Sequence, residues 1–119
     1  NLTAQVRIPM AKPMDVTAED FEQEVTKWTD TPVVVDFWSE TCGHCQALNP
    51  HYDQAAEAKA GEVKFVKVSF QDCRDLFGEH GVRATPTLVL FRDGKEIARR
   101  VGAMRADDLQ QWIDESLAE

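Results

Sequence analysis

The 119-residue sequence is poor in cysteine, glycine and proline, with three, six and five of each. It also lacks any apolar run near the ~20 residues that a bilayer span needs. So little glycine and proline excludes a collagen-like or low-complexity chain. The cysteine count is odd, with Cys42 and Cys45 three apart and Cys73 alone, which excludes a small secreted fold stapled by disulfides. Positive charge is the scarcer sign: 13 Lys+Arg stand against 21 Asp+Glu, a formal net charge of −8. A surface of that sign repels phosphate, which argues against a general grip on nucleic acid and against an anionic membrane surface. Protein or small-molecule partners remain. Residues 1–10 (NLTAQVRIPM) show no basic segment followed by a long apolar one, so no intact signal peptide is read there.

What is present is an ordinary globular composition, 43% apolar and 29% charged, in a length that suits one domain. A chain of this size buries roughly two-thirds of the surface it exposes unfolded, enough for one core. Residues 1–16, holding Pro9 and Pro13, are expected to form an arm or edge strand, and residues 17–119 the domain. Thr17 and Asp20 resemble a helix cap, after which Phe21, Val25 and Trp28 recur at helical spacing in a helix ending before Pro32.

Residues 33–38 (VVVDFW) are a β-rich run that fits a strand covered on both faces. From Gly43 to Ala60 the pattern is helical, with Leu48, Tyr52, Ala55, Ala56 and Lys59 on one side, Pro50 as an expected kink and Gly61 as the stop. Residues 63–70 read as a strand and 73–80 as a short helix. Residues 87–92 and 95–101 flank Asp93-Gly94, a hairpin signal. Leu109, Trp112, Ile113 and Leu117 mark a last helix, with Asp107 and Asp108 at its positive end. The expected fold is therefore α/β: a mixed central sheet of four to five strands with helices on both faces. Phe21, Trp28, Phe37, Phe65, Phe91, Trp112 and Ile113 are expected in the core.

The chemistry concentrates in residues 36–45. Cys42 falls where a helix begins, and the free N–H groups and dipole there favour a thiolate, the nucleophilic form of cysteine. Gly43 lets the backbone turn and leaves Cys42 open to a large partner. Cys45, one turn on, is placed to release a mixed disulfide formed at Cys42. His44 brings a tunable positive charge that, when present, favours the reduced pair and makes the disulfide a better oxidant. Asp36 is a carboxylate amid apolar neighbours. Burial raises its pKa and suits it to accept the Cys45 proton, with Lys67 on the next strand as its expected charge partner.

Residues 34–52 (VVDFWSETCGHCQALNPHY) resemble the active-site signature of the thioredoxin family. Asp36, Trp38, Cys42, Gly43, Cys45 and Pro50 match it, as do Lys67, Thr85-Pro86-Thr87 and Gly102-Ala103 downstream. The likeness covers about residues 17–118, and the body is most similar to bacterial thioredoxins bearing an N-terminal zinc ribbon, whose ribbon cysteines this sequence does not contain. The resemblance implies a thioredoxin fold and a protein-disulfide oxidoreductase with Cys42 as nucleophile and Cys45 as resolving thiol. It implies a cis Thr85–Pro86 bond beside the cysteines. It also implies a substrate-binding rim of Trp38, Thr41, Thr85, Pro86, Gly102 and Ala103. No bound cofactor is implied beyond the redox disulfide, and the partners are protein disulfides with a reductase-like donor or an oxidised acceptor. A cytoplasmic monomer is expected, or a periplasmic protein if a leader was removed.

Two positions depart from the family pattern. Thr41 stands where Trp usually precedes the first cysteine, which reduces the apolar rim. Gly43-His44 replaces Gly-Pro and resembles the pair in protein disulfide isomerases, from which a more oxidising poise is expected. Disulfide isomerase or oxidase activity, and a binding or chaperone module, are the alternative functions. A structural zinc half-site at Cys42 and Cys45 would need ligands from Cys73, His51 and His80. Haem attachment is excluded because Gln46 follows Cys45. In the plainest reading Asp36 is a structural carboxylate, Lys67 a strand lysine, Cys73 a surface or half-buried residue, and His51 and His80 surface residues.

Overall fold

The computed structural model describes residues 11–119, so most of the expected arm lies outside the described residues. Five strands form one sheet: β1 (Met14–Asp15), β2 (Val33–Trp38), β3 (Lys64–Ser69), β4 (Thr87–Arg92) and β5 (Lys95–Val101). Their order is β1-β3-β2-β4-β5, with β1 and β2 parallel to β3, and β4 antiparallel to both β2 and β5. The helices are α1 (Gly43–Ala58), α2 (Arg74–Glu79) and α3 (Ala106–Ala118). None of these is long and apolar enough to cross a membrane.

β2 sits at the centre of the sheet because its residues can be buried on both sides. Val33, Val35 and Phe37 point to one face, against Phe21, Val25, Leu76 and Phe77. Val34 points to the other, against Leu48, Tyr52, Ala55 and Ala56 of α1 and Leu109 and Ile113 of α3. Strand alternation then places Asp36 and Trp38 on the α1 side, and Lys67 follows Phe65 to that same side. Tyr52 is fully buried there, its hydroxyl lying 3.0 Å from the Val34 carbonyl and 2.8 Å from that of Val66. One phenol thus ties α1 to the two central parallel strands.

The expected first helix is shorter and of another kind. Glu22–Thr26 is a π-helix, closed by the Lys27 N–H donating to the Glu22 carbonyl at 2.7 Å. The Thr26 hydroxyl donates to that same carbonyl at 3.2 Å, a back-bond of the kind that bends helices. Trp28, expected in the core, is only partly buried, and the Lys64 ammonium lies 3.5 Å from its ring centroid. α1 runs unbroken through Pro50 and ends at Ala58, with Gly61 at φ +85° just beyond.

Three further expectations are corrected. Cys73 is buried, 2% exposed, because it packs with Val16, Leu76 and Phe77 in the core on the Phe21 side of the sheet. His80 is half-buried, its ring 5.1 Å from that of Phe21 and 5.7 Å from that of Phe91. His51 is half-buried and accepts the Ala106 N–H on Nδ1, at the start of α3.

The β4–β5 hairpin turns through Asp93 (φ +52°) and Gly94 (φ +80°), the pairing a two-residue turn of this hand requires. Gly94 also passes close to the π-helix: a Cβ there would stand 2.3 Å from the Thr26 carbonyl oxygen. Left-handed strain and a backbone clash therefore combine. Gly94→Ala is expected to destabilise the fold by more than about 2 kcal/mol, read as a lower urea midpoint. A midpoint equal to wild type would contradict this account of the turn.

Candidate active site

The loop after β2 delivers Cys42 to the N-cap of α1. Cys42 has an extended backbone (φ −103°, ψ 111°), and its carbonyl accepts the Gln46 N–H. Its Sγ accepts the Cys45 N–H at 3.1 Å, so one of the free N–H groups of the first helical turn is aimed at the sulfur. Cys42 and Cys45 form a disulfide with Cα atoms 5.2 Å apart. The two sulfurs differ in access: Cys42 is partly exposed, while Cys45 is 1% exposed. That asymmetry lets an incoming partner reach one sulfur and not the other.

Thr85 and Pro86 come up beside the pair from the loop before β4. The bond between them is cis, as the resemblance implies, and Cys42 Sγ lies 3.4 Å from the Thr85 carbonyl oxygen. Gly102 is tied to the same corner, its N–H donating to the Pro86 carbonyl at 2.8 Å. Thr41, Gly43, His44 and Ala103 are exposed around this corner, and Trp38, Thr85 and Gly102 are half-buried.

Beneath the pair lies Asp36, fully buried, with neither carboxylate oxygen hydrogen-bonded among the described residues. Loss of water raises its pKa from 3.8 to about 7, with Lys67 pulling the other way. Lys67 is opposite Asp36 in the β2–β3 register, yet it is not hydrogen-bonded to it. Its ammonium donates instead to Asn49 Oδ1 at 2.9 Å and lies 5.0 Å from the centroid of the Trp38 ring. The expected charge partner therefore acts on Asp36 only across space. Asn49 was not singled out by sequence reasoning. Its place in α1, one turn after the buried Cys45, is the signal that it faces the same chemistry.

A dithiol pair at a helix start, a carboxyl buried below it and a cis-proline beside it define a thiol–disulfide oxidoreductase. Comparison with known proteins agrees. The thioredoxin family model matches residues 12–115. The chain is 38% identical to a thioredoxin of Pseudomonas aeruginosa over 104 residues, 87% of this chain and 95% of that one. It is 35% identical to a thioredoxin of Rickettsia felis over 103 residues, 87% of this chain and 97% of the relative. Thioredoxin 1 of a Nostoc species is 35% identical over 108 residues, 91% of this chain and all of its own. The chain belongs to the thioredoxin family and is a protein-disulfide oxidoreductase. Members of the family work through a redox disulfide without a bound cofactor, on protein disulfides, and are re-reduced by a reductase. Among the described residues no group of three or more His, Cys, Asp or Glu is arranged to hold a metal ion.

The Asp36 environment carries a stability consequence. A carboxyl whose pKa is raised on folding binds its proton more tightly in the folded state, so stability falls as pH climbs from 3.8 toward 7 and levels off above. Asp36→Asn keeps the shape of the neutral acid and removes that dependence. The variant is expected to gain on the wild type progressively over this window, reaching about 3–4 kcal/mol at pH 8. Urea unfolding of both oxidised proteins across pH reads the difference, and a constant gap would refute the assignment.

Proposed function

We propose that Cys42 is the attacking thiolate, Cys45 the resolving thiol and Asp36 the acceptor of the Cys45 proton, in net reduction of protein disulfides. The observation that carries this reading is the unpartnered Asp36 carboxyl buried below a dithiol whose two sulfurs differ so sharply in exposure. In the reduced protein the Cys42 thiolate attacks one sulfur of a substrate disulfide, and the other substrate sulfur leaves as a thiolate. Cys45 then gives its proton to Asp36 and attacks Cys42 Sγ, which closes the Cys42–Cys45 disulfide and releases the second substrate thiolate. Two electrons pass to the substrate, and a reductase returns two. A proton acceptor titrating near neutrality gives and takes its proton without a large penalty at either step.

Thr85, half-buried beside Cys42, is suited to bind an extended substrate chain through its backbone, with Trp38, Thr41, Pro86, Gly102 and Ala103 completing the rim. The polar Thr41 favours targets with less apolar docking surface than a Trp at this place would. His44 makes the disulfide more oxidising, and Gly43 keeps Cys42 accessible. A cytoplasmic monomer fits the likeness of the body to bacterial thioredoxins. The relatives named above are thioredoxins, which does not favour an isomerase, an oxidase or a chaperone module.

Insulin reduction tests the roles. Cys42→Ser is expected to drop to the uncatalysed rate, and Cys45→Ser to accumulate a mixed disulfide through Cys42. Asp36→Asn is expected to slow the resolving step about 100-fold. Retained turnover in Cys42→Ser would overturn the nucleophile assignment. Equilibration with glutathione tests His44: in His44→Pro the disulfide is expected to be about tenfold harder to reduce, a shift of about 30 mV. An unchanged equilibrium would remove His44 from the tuning of the pair.

A further inference from the structure

The Lys67 ammonium has two sets of anions within reach and pairs with neither. Inward is Asp36, opposite it in the register and without a partner. Outward is an open groove of about 420 Å³ between the β1 edge and α1, lined by Asp15, Asp53 and Glu57 with the two cations Lys12 and Lys67. Lys67 forms no ion pair with any of these three carboxylates. A lysine ammonium is strongly hydrated and its stem is flexible, so left alone it turns toward water and surface anions. What holds it back is one acceptor on a rigid helix, Asn49 Oδ1 at 2.9 Å, together with the Trp38 ring at 5.0 Å.

We propose that Asn49 is a positioning residue that keeps the Lys67 ammonium turned inward, and so sets the positive charge that Asp36 experiences. This rests on the reading of Asp36 as proton acceptor. Among the described residues Lys67 is the cation that pulls on Asp36, Lys12 lying out in the groove, and the groups packed around the carboxyl supply no positive charge. β4 places Leu88 opposite Asp36, and α3 contributes Leu109, Trp112 and Ile113. α1 contributes the Cys42–Cys45 disulfide and Tyr52, whose hydroxyl is engaged by the Val34 and Val66 carbonyls. Lys67 is thus the cation that acts on Asp36, and its distance is a variable that Asn49 fixes. Without that acceptor the ammonium moves into the groove, the Asp36 carboxylate loses its support, and the carboxyl holds its proton to higher pH.

The test is a ¹³C NMR titration of the Asp36 carboxyl in the oxidised full chain, for wild type, Asn49→Ala, Lys67→Met and the double variant. Asn49→Ala is expected to raise the midpoint by about one pKa unit, and Lys67→Met by at least as much. The double variant should match Lys67→Met, because Asn49 acts through the lysine. An unchanged or lowered midpoint in Asn49→Ala, or additive shifts in the double variant, would overturn the proposal. Insulin reduction is measured alongside. If Asp36→Asn slows resolution while Asn49→Ala leaves the midpoint alone, this inference fails and the role of Asp36 stands. If Asp36→Asn resolves at the wild-type rate, it is the role of Asp36 that fails.

Discussion

The rest of the site depends on the burial of one ionisable group without a partner. An isolated carboxylate taken out of water costs several kcal/mol even after its surroundings relax, so such a group is normally paired, or it stays protonated. Asp36 stands between the two: unpaired, it titrates at about 7, so near neutrality both its acid and its carboxylate are populated. It lies on the central strand, where α1 covers it with Leu48, Tyr52, Ala55 and Ala56 packed around Val34. The packing that excludes water is what moves its titration to about 7. A direct ion pair with Lys67 would have removed that effect, returning the carboxyl to the ordinary acidic range and fixing it as a permanent anion. The role proposed for Asp36, accepting the Cys45 proton, therefore depends on a cation that acts on it across space and is not bonded to it.

The sheet divides the labour between its faces. The face with α2 and the π-helix is an interlocked aromatic cluster, in which Phe21, Phe37 and Phe91 gather around His80 and Phe77 packs edge-on against Phe37. That face is packed apolar core and holds neither cysteine of the dithiol. The α1 face carries Asp36, Trp38 and Lys67 on adjacent strands, beneath the helix that presents both cysteines. Because strand residues alternate, Phe37 anchors the structural face while its two neighbours serve the site. A one-residue slip of β2 would exchange them and place the carboxyl in the aromatic cluster.

Much of this was legible in the sequence, and what was not has a common cause. The bounds of β2, β4 and β5 follow from the runs VVVDFW, TLVLFR and KEIARRV and from the Asp93-Gly94 turn, since each signal is local. The Cys42–Cys45 site was equally plain, because a helix start and a three-residue spacing are local features too. The first helix differs in kind, since the Lys27 N–H reaches back five residues to the Glu22 carbonyl and apolar spacing does not separate that from an α turn. Cys73, His51 and His80 were placed too near the surface because the burial of a lone residue is decided by elements far away in the chain. Asn49 was passed over for the same reason: its partner lies 18 residues on, across a helix–strand contact.

The loop that carries the nucleophile shows how a less aromatic rim can still be rigid. Ser39 Oγ accepts from Gln71 Nε2 at 3.1 Å, and Gln71 Oε1 accepts the Glu40 N–H at 3.1 Å. The Thr41 N–H donates back to Ser39 Oγ at 3.4 Å, and the two hydroxyls lie 3.3 Å apart. Residues 39–41 are thus pinned from across the sheet by one glutamine just past β3, where a bulky ring before Cys42 would have relied on packing. Hydrogen bonds fix direction more tightly than apolar contact does, and they leave Thr41 free to present a small polar surface. Position and recognition are thereby uncoupled. Gln71 and Ser39 hold the loop that leads to Cys42, and Thr41 and His44 stay exposed beside it, free for the docking and tuning roles proposed for them.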